Sequence, residues 1–127
     1  MRNSTDIKLS SLNHTWILDL DGTIVKHNGY KIDGVDTLLP AAKVFLNKIP
    51  ADDFVIFVTS RTNEYKEETI DFLKKENIRY NHIIFNAPYG ERILVNDNKP
   101  SGLKCSVAIN FERDNINIGD IIIDETL

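Results

Sequence analysis

Apolar residues fall into short runs separated by turn-forming clusters, and their spacing switches between that of strands and that of helices along the chain. Trp16 to Leu20 predicts a first strand, and the polar stretch from Lys26 to Asp36, with Gly29 and Gly34, predicts an irregular flap. Between Pro40 and Pro50 the residues Ala41, Ala42, Phe45, Leu46 and Ile49 recur at helical spacing. One proline suits the first turn of that helix and the other closes it. Asp53 to Val58 predicts a second strand. Glu64 to Asn77 predicts a second amphipathic helix, with Tyr65, Ile70, Phe72 and Leu73 on its apolar face. Further short strands are expected at His82 to Phe85, Ile93 to Val95 and Val107 to Ile109, with a short helix beginning near Pro100. Ile121 to Ile123 is either an added strand or part of a surface tail. Strands alternating with helices predict an α/β fold around a parallel sheet with right-handed crossovers.

At the exit of the first strand, Asp19-Leu20-Asp21-Gly22-Thr23 places two carboxylates two residues apart. In a continuing strand both would point the same way, and Gly22 lets the chain turn just beyond them. Hard oxygens beside an open loop suit Mg²⁺, which takes one or two carboxylates together with a substrate phosphate. An EF-hand fails on its spacing: with Asp19 first, Thr23, Ile24 and Tyr30 fall where an acid, a glycine and a glutamate belong. A glycosyltransferase metal motif would need a second, acceptor domain for which 127 residues leave little room. A solvated turn with two incidental acids would not call for the matches that follow downstream.

Ligands of open parallel sheets collect at the carboxyl ends of the strands, and three of those ends are polar here. The first carries Asp19 and Asp21, the second Thr59, Ser60 and Arg61, and a later one Asn96, Asp97, Asn98 and Lys99. Brought together, they would offer carboxylates to a metal, hydroxyls to phosphoryl oxygens and a cation to developing charge. Arg61 reads equally as a phosphate contact and as half of a surface ion pair.

At 127 residues the chain is expected to form one domain, spanning 1–127, large enough for a core without staples. Apolar runs such as Phe54 to Val58 are far too short to span a membrane. The first ten residues hold Arg2, Asp6 and Lys8 and no apolar h-region, so no signal peptide is predicted and a cytoplasmic location is expected. A net charge of −4 with interspersed signs argues against nucleic acid as the partner. Cys105, the single cysteine, reads as a core filler. His14, His27 and His82 have no partners at metal-ligand spacing and read as structural or exposed.

The motifs from Trp16 to about Asp114 resemble those of the haloacid dehalogenase superfamily, most closely its small capless members linked to bacterial surface-polysaccharide synthesis. The first family motif is matched in full by Asp19-Leu20-Asp21-Gly22-Thr23, and the second by Thr59 at the end of Phe54 to Val58. The fourth is matched in part by Asn96-Asp97 after Ile93-Leu94-Val95, with Asn96 where an acid is usual. The third, commonly Lys-Pro, meets Ala87-Pro88, so its cation is missing. The resemblance implies a Rossmann-like three-layer fold with a central parallel sheet and no cap domain. It also implies a Mg²⁺-dependent phosphomonoester hydrolase working through an aspartyl-phosphate, on a sugar or polyol phosphate.

In that scheme Asp19 is the nucleophile, and Asp21 is the acid that protonates the leaving oxygen and the base that then activates water. Thr59, with Ser60 and Arg61, would bind the phosphorylated substrate. Asp19, the Asp21 carbonyl, Asp97 and a neutral Asn96 would surround Mg²⁺. Lys99, held near the site by Pro100, would replace the missing cation, with Lys66 as the next candidate. Without a cap the site should be open, which suits a bulky substrate or a homo-oligomer whose neighbouring subunit forms the lid. A phospho-receiver domain has a similar length and similar residues, but Phe57-Val58-Thr59-Ser60-Arg61 offers no acceptor aspartate. The stronger alternative is a catalytically degenerate relative that binds a phosphorylated ligand or a partner enzyme, as Ala87 and Asn96 suggest.

Overall fold

The structure, a computed structural model, describes residues 6–127; residues 1–5, half of the polar N-terminal stretch, lie outside it. In chain order the elements are β1 (Ile7–Leu9), β2 (Thr15–Asp19), α1 (Gly29–Ile32), α2 (Ala42–Lys48), β3 (Phe54–Val58), α3 (Lys66–Lys75), β4 (His82–Ile84) and β5 (Ile121–Ile123). A single 3₁₀ turn, Asn63–Tyr65, leads into α3. The molecule is therefore α/β, with two small parallel sheets. One has the order β2-β3-β4 and the other pairs β1 with β5. Among the described residues no helix is long and apolar enough to cross a membrane.

The register of the larger sheet sets the site. Trp16 pairs with Val55, Leu18 with Phe57 and Asp19 with Val58, while Val58 pairs in turn with Ile84. Strand side chains alternate between faces, so Trp16, Leu18, Val55 and Phe57 point inward and are buried. Phe45 of α2 meets Trp16 edge to face, with ring centroids 6.2 Å apart, and Leu73 of α3 belongs to the same core cluster. Ile17, Phe54 and Ile84, on the opposite face, are exposed.

Helix ends follow local chemistry. Ile49, just before Pro50, is extended with ψ 123°, as the proline ring requires of its predecessor, so α2 stops at Lys48. The C-terminus of α3 closes in a Schellman motif. Asn77 adopts φ +57° and donates to Lys74 O, while Ile78 donates to Leu73 O and packs in the same core as Leu73. Glu67 and Glu68 in the first turn and Lys74 and Lys75 in the last complement the helix dipole.

The C-terminal third departs from the sequence pattern. Ile93 to Val95 and Val107 to Ile109 form no strands, and Ile93 and Val95 are 84% and 87% exposed. An apolar run becomes a strand only when it finds a ladder partner, and neither run lies in a ladder or bridge of the described residues. The helix expected near Pro100 is a turn instead, in which Lys99 donates to Leu103 O and Gly102 to Lys99 O, with Gly102 at φ +100°. β5 does form at Ile121–Ile123, because β1, a strand the sequence pattern had not marked, pairs with it in parallel. Cys105, expected in the core, is only half-buried.

Under β2, Asp53 organises a polar knot. Its carboxylate accepts from Trp16 Nε1 at 2.9 Å, from the His14 backbone N–H at 3.0 Å and from His14 Nδ1 at 2.8 Å. Burial pushes the Asp53 carboxyl up, but the bonds from Trp16 and His14 outweigh it and hold the group below its ordinary value. A carboxyl lowered on folding stabilises the fold fully above the ordinary value, 3.8, and that contribution is lost as pH falls through the folded value. Asp53→Asn is expected to cost about 1–3 kcal/mol at neutral pH, because one amide oxygen cannot serve three donors. Denaturant titrations below pH 5 are expected to show a shallower acid loss in the variant than in wild type, and parallel slopes would remove Asp53 from the acid transition.

Candidate functional site

β2 ends at Asp19, and the chain turns at once. Leu20 O accepts from Thr23, Ile24 and Val25 N–H at 3.3, 2.9 and 3.1 Å, and Gly22 sits at φ +83° within that turn. A side chain at Gly22 would be strained by its φ and would meet Arg113 Cγ at 3.2 Å. Because the strand stops here, Asp19 and Asp21 do not share the environment that strand alternation predicts.

Asp19 stays on the open side and is 37% exposed. Its Oδ2 accepts from the Thr23 hydroxyl at 2.9 Å, and its Oδ1 accepts from Arg92 Nη1 at 2.9 Å. Arg92 also reaches Ser60 Oγ at 3.5 Å, and Ser60 donates to Pro88 O at 3.2 Å. Arg92 thus spans the ends of β2 and β3 from the loop that follows β4. The sequence pattern points to Lys99 and then Lys66 as the cation and passes over Arg92, which lies five residues beyond Ala87 in the same loop and belongs to no motif.

Asp21 turns inward to Arg61. Nε of Arg61 donates to Asp21 Oδ2 at 3.0 Å and Nη2 to Oδ1 at 2.9 Å. On its other edge the same guanidinium donates from Nη1 to Asp36 Oδ2 at 2.9 Å and from Nη2 to Asp36 Oδ1 at 2.7 Å. Nη1 also donates to Thr69 Oγ1 at 2.9 Å, and the Thr69 hydroxyl in turn donates a hydrogen bond to Tyr65 O at 2.7 Å. A guanidinium has five N–H donors, and these five bonds use all of them. Tyr30 lies over the guanidinium face, 3.9 Å from ring centroid to Cζ. Burial lowers the Arg61 pKa, but the bonds to Asp36 and Asp21 more than reverse this and raise it above its ordinary value. Burial, then the Asp21 charge, pushes the Tyr30 hydroxyl up.

Thr59 ends β3 fully buried, and its Oγ1 accepts from Arg61 N–H at 3.1 Å. The segment after β4 docks onto this strand end through its backbone, Asn86 N–H donating to Arg61 O and Ala87 N–H to Thr59 O. Asn86 takes φ +62° to make that turn. Asp19, Asp21, Thr59, Ser60 and Arg61 are therefore gathered at the carboxyl ends of β2 and β3. Asn96, Asp97 and Lys99 lie in an exposed loop where Asn96 Nδ2 bonds to Asp97 Oδ1 at 3.3 Å.

Among the described residues no group of three or more His, Cys, Asp and Glu side chains is clustered to hold a metal ion. Asp19 alone meets the lower bound of Mg²⁺ chemistry, which is one carboxylate with water and substrate phosphate supplying the rest. Two histidines sit elsewhere, His14 on Asp53 and His82 against the Phe54 ring, while His27, its backbone N–H on Asp114, packs beside Gly22 at the turn after Asp19. The pocket lined by Leu46, Ile49, Val55 and Ile78 contains none of the site residues. No family model matches the chain, and no curated protein or solved structure does either.

Proposed function

We propose that the chain is a phosphomonoester hydrolase of the haloacid dehalogenase type, in which Asp19 attacks phosphorus and forms an aspartyl-phosphate. One observation carries this: a half-exposed carboxylate at the end of a parallel strand, facing an arginine and bordered by the Thr59-Ser60 strand end. A carboxylate nucleophile needs an approach from solvent, and an arriving phosphoryl group needs a cation beside it. Arg92 meets the second need, since its guanidinium already spans Asp19 and Ser60 and can turn N–H groups to phosphoryl oxygens.

As Asp19 attacks, the bond from phosphorus to the leaving oxygen breaks and Asp21 supplies that oxygen's proton. Each Asp21 oxygen accepts one bond from Arg61 and keeps a second lone pair for a proton. Water then opens the aspartyl-phosphate while Asp21 takes its proton. Asp19 is the residue that would hold Mg²⁺, with Asp97 and Asn96 joining it only if their loop approaches. Bound there, the ion would neutralise charge on the transferring phosphoryl group. The proposal carries with it a Rossmann-like three-layer arrangement, a cytoplasmic enzyme and a sugar or polyol phosphate of surface-polysaccharide synthesis as substrate. An open site also suits a homo-oligomer in which a second subunit completes the wall.

A panel of sugar and polyol phosphates assayed for phosphate release, with Mg²⁺ and with chelator, tests it. Release that stops on chelation is the expected result. Ala87 and Asn96 favour the second reading, ligand binding without turnover, and that reading takes over if phosphate esters bind and none is hydrolysed.

The cation gives a sharper test. Arg92→Ala is expected to lower kcat/KM by about 10²-fold, the scale of one lost stabilising donor, with Lys99→Ala close to wild type. The reverse outcome would return the role to Lys99, the choice from sequence.

A further inference from the structure

Arg61 and its partners contain more carboxylate than Asp21 alone requires. Two aspartates grip one buried guanidinium, Asp21 on the Nε and Nη2 edge and Asp36 on the Nη1 and Nη2 edge. The side chains of Arg61 and Asp36 are 1% and 6% exposed, so neither can be replaced by solvent. Asp36 comes from the segment after α1, and Tyr30 from α1 itself covers the guanidinium face. With five N–H groups bonded in plane and a ring above, the guanidinium has one orientation. The Asp21 carboxylate that it holds has one as well.

We propose that Asp36 is a positioning residue, which fixes the Arg61 guanidinium and through it the orientation of the Asp21 carboxylate toward the leaving oxygen. The inference rests on the role given to Asp21 above. Asp36 itself touches neither substrate nor reacting atoms. Without it, Arg61 keeps its bonds to Asp21 and Thr69 but loses both bonds on the opposite edge, and the Asp21–Arg61 pair can rock as a unit. Proton transfer is sensitive to displacements of this kind, since a misplacement of about 1 Å can cost about 10²-fold in rate.

The readout is the leaving group. A sugar or alkyl phosphate needs its departing oxygen protonated, whereas p-nitrophenolate leaves without help. Asp36→Asn is nearly isosteric and is expected to lower kcat/KM, which reports formation of the aspartyl-phosphate and not its hydrolysis, by about 10²-fold on an alkyl phosphate while changing kcat/KM on p-nitrophenyl phosphate by less than about threefold. A merely structural role would depress both substrates alike, and equal losses, or none, would overturn the inference. Hydrogen exchange at the guanidinium Nε–H of Arg61 reads the same link without any substrate, because that N–H donates to Asp21 Oδ2. In ¹⁵N-arginine-labelled protein its exchange is expected to be slow in wild type and at least about tenfold faster in Asp36→Asn. Unchanged exchange overturns the positioning role even if activity falls. A wild-type chain that hydrolyses no ester, yet shows the accelerated exchange in the variant, keeps Asp36 as the positioner and rejects only the hydrolase.

Discussion

Asp19→Asn is expected to reduce phosphate release by at least about 10³-fold, since loss of a nucleophile removes the covalent route and not merely part of its stabilisation. The substitution changes shape little. Its amide oxygen can still accept from Thr23 or Arg92, and Asp19 is more than a third exposed, so the fold should be retained. Thermal melts within about 2–4 °C of wild type would show this, the shift expected for a change near 1 kcal/mol. A single-turnover experiment with ³²P-labelled substrate should trap label on the wild-type protein and none on the variant. A variant that keeps more than about 1% of the rate would remove Asp19 as the nucleophile.

Arg61→Ala is expected to have the largest effect on stability. Its removal leaves Asp21 and Asp36 facing each other, 17% and 6% exposed, with no counter-charge, and also strips the Tyr30 face and Thr69 Oγ1 of their partner. Breaking a buried ion pair by deleting one member costs about 3–5 kcal/mol. For a chain of this size that is a fall in Tm of about 10–20 °C. Lysine does not replace arginine here, because a single ammonium cannot present two forked edges. Arg61→Lys should therefore recover less than half of the loss. A melting temperature near wild type in Arg61→Ala would mean that the two carboxylates are solvated in solution and not held as described.

Much of the chain's first two-thirds was legible because its signals are local. Trp16 to Leu20 and Asp53 to Val58 are marked by short apolar runs between breakers, and they appear as β2 and β3 within a residue or two of the predicted ends. The helix expected from Glu64 to Asn77 appears as the 3₁₀ turn and α3, stopped by Asn77 in the left-handed region. Candidate chemistry was legible for the same reason, since Asp19, Asp21, Thr59, Ser60 and Arg61 each follow directly from a strand end. What each side chain faces was not. Strand alternation put Asp19 and Asp21 on one side, but the turn at Gly22 sends one to Arg92 and the other to Arg61.

By itself the sequence determined β2, β3 and β4, the helices α2 and α3, and the polar ends of β2 and β3, all of which depend on short apolar runs and on breakers a few residues apart. Only the tertiary structure decided that Arg61 is a buried hub with all five N–H groups used within the protein, because Asp36 and Thr69 reach it from other elements. It alone brought Arg92 across from a loop 73 residues away to face Asp19. It also left Ile93 to Val95 unpaired while joining Ile7–Leu9 to Ile121–Ile123 across almost the whole chain. Strand pairing and ion pairing are matters of which partner arrives, and sequence spacing carries no record of partners that distant.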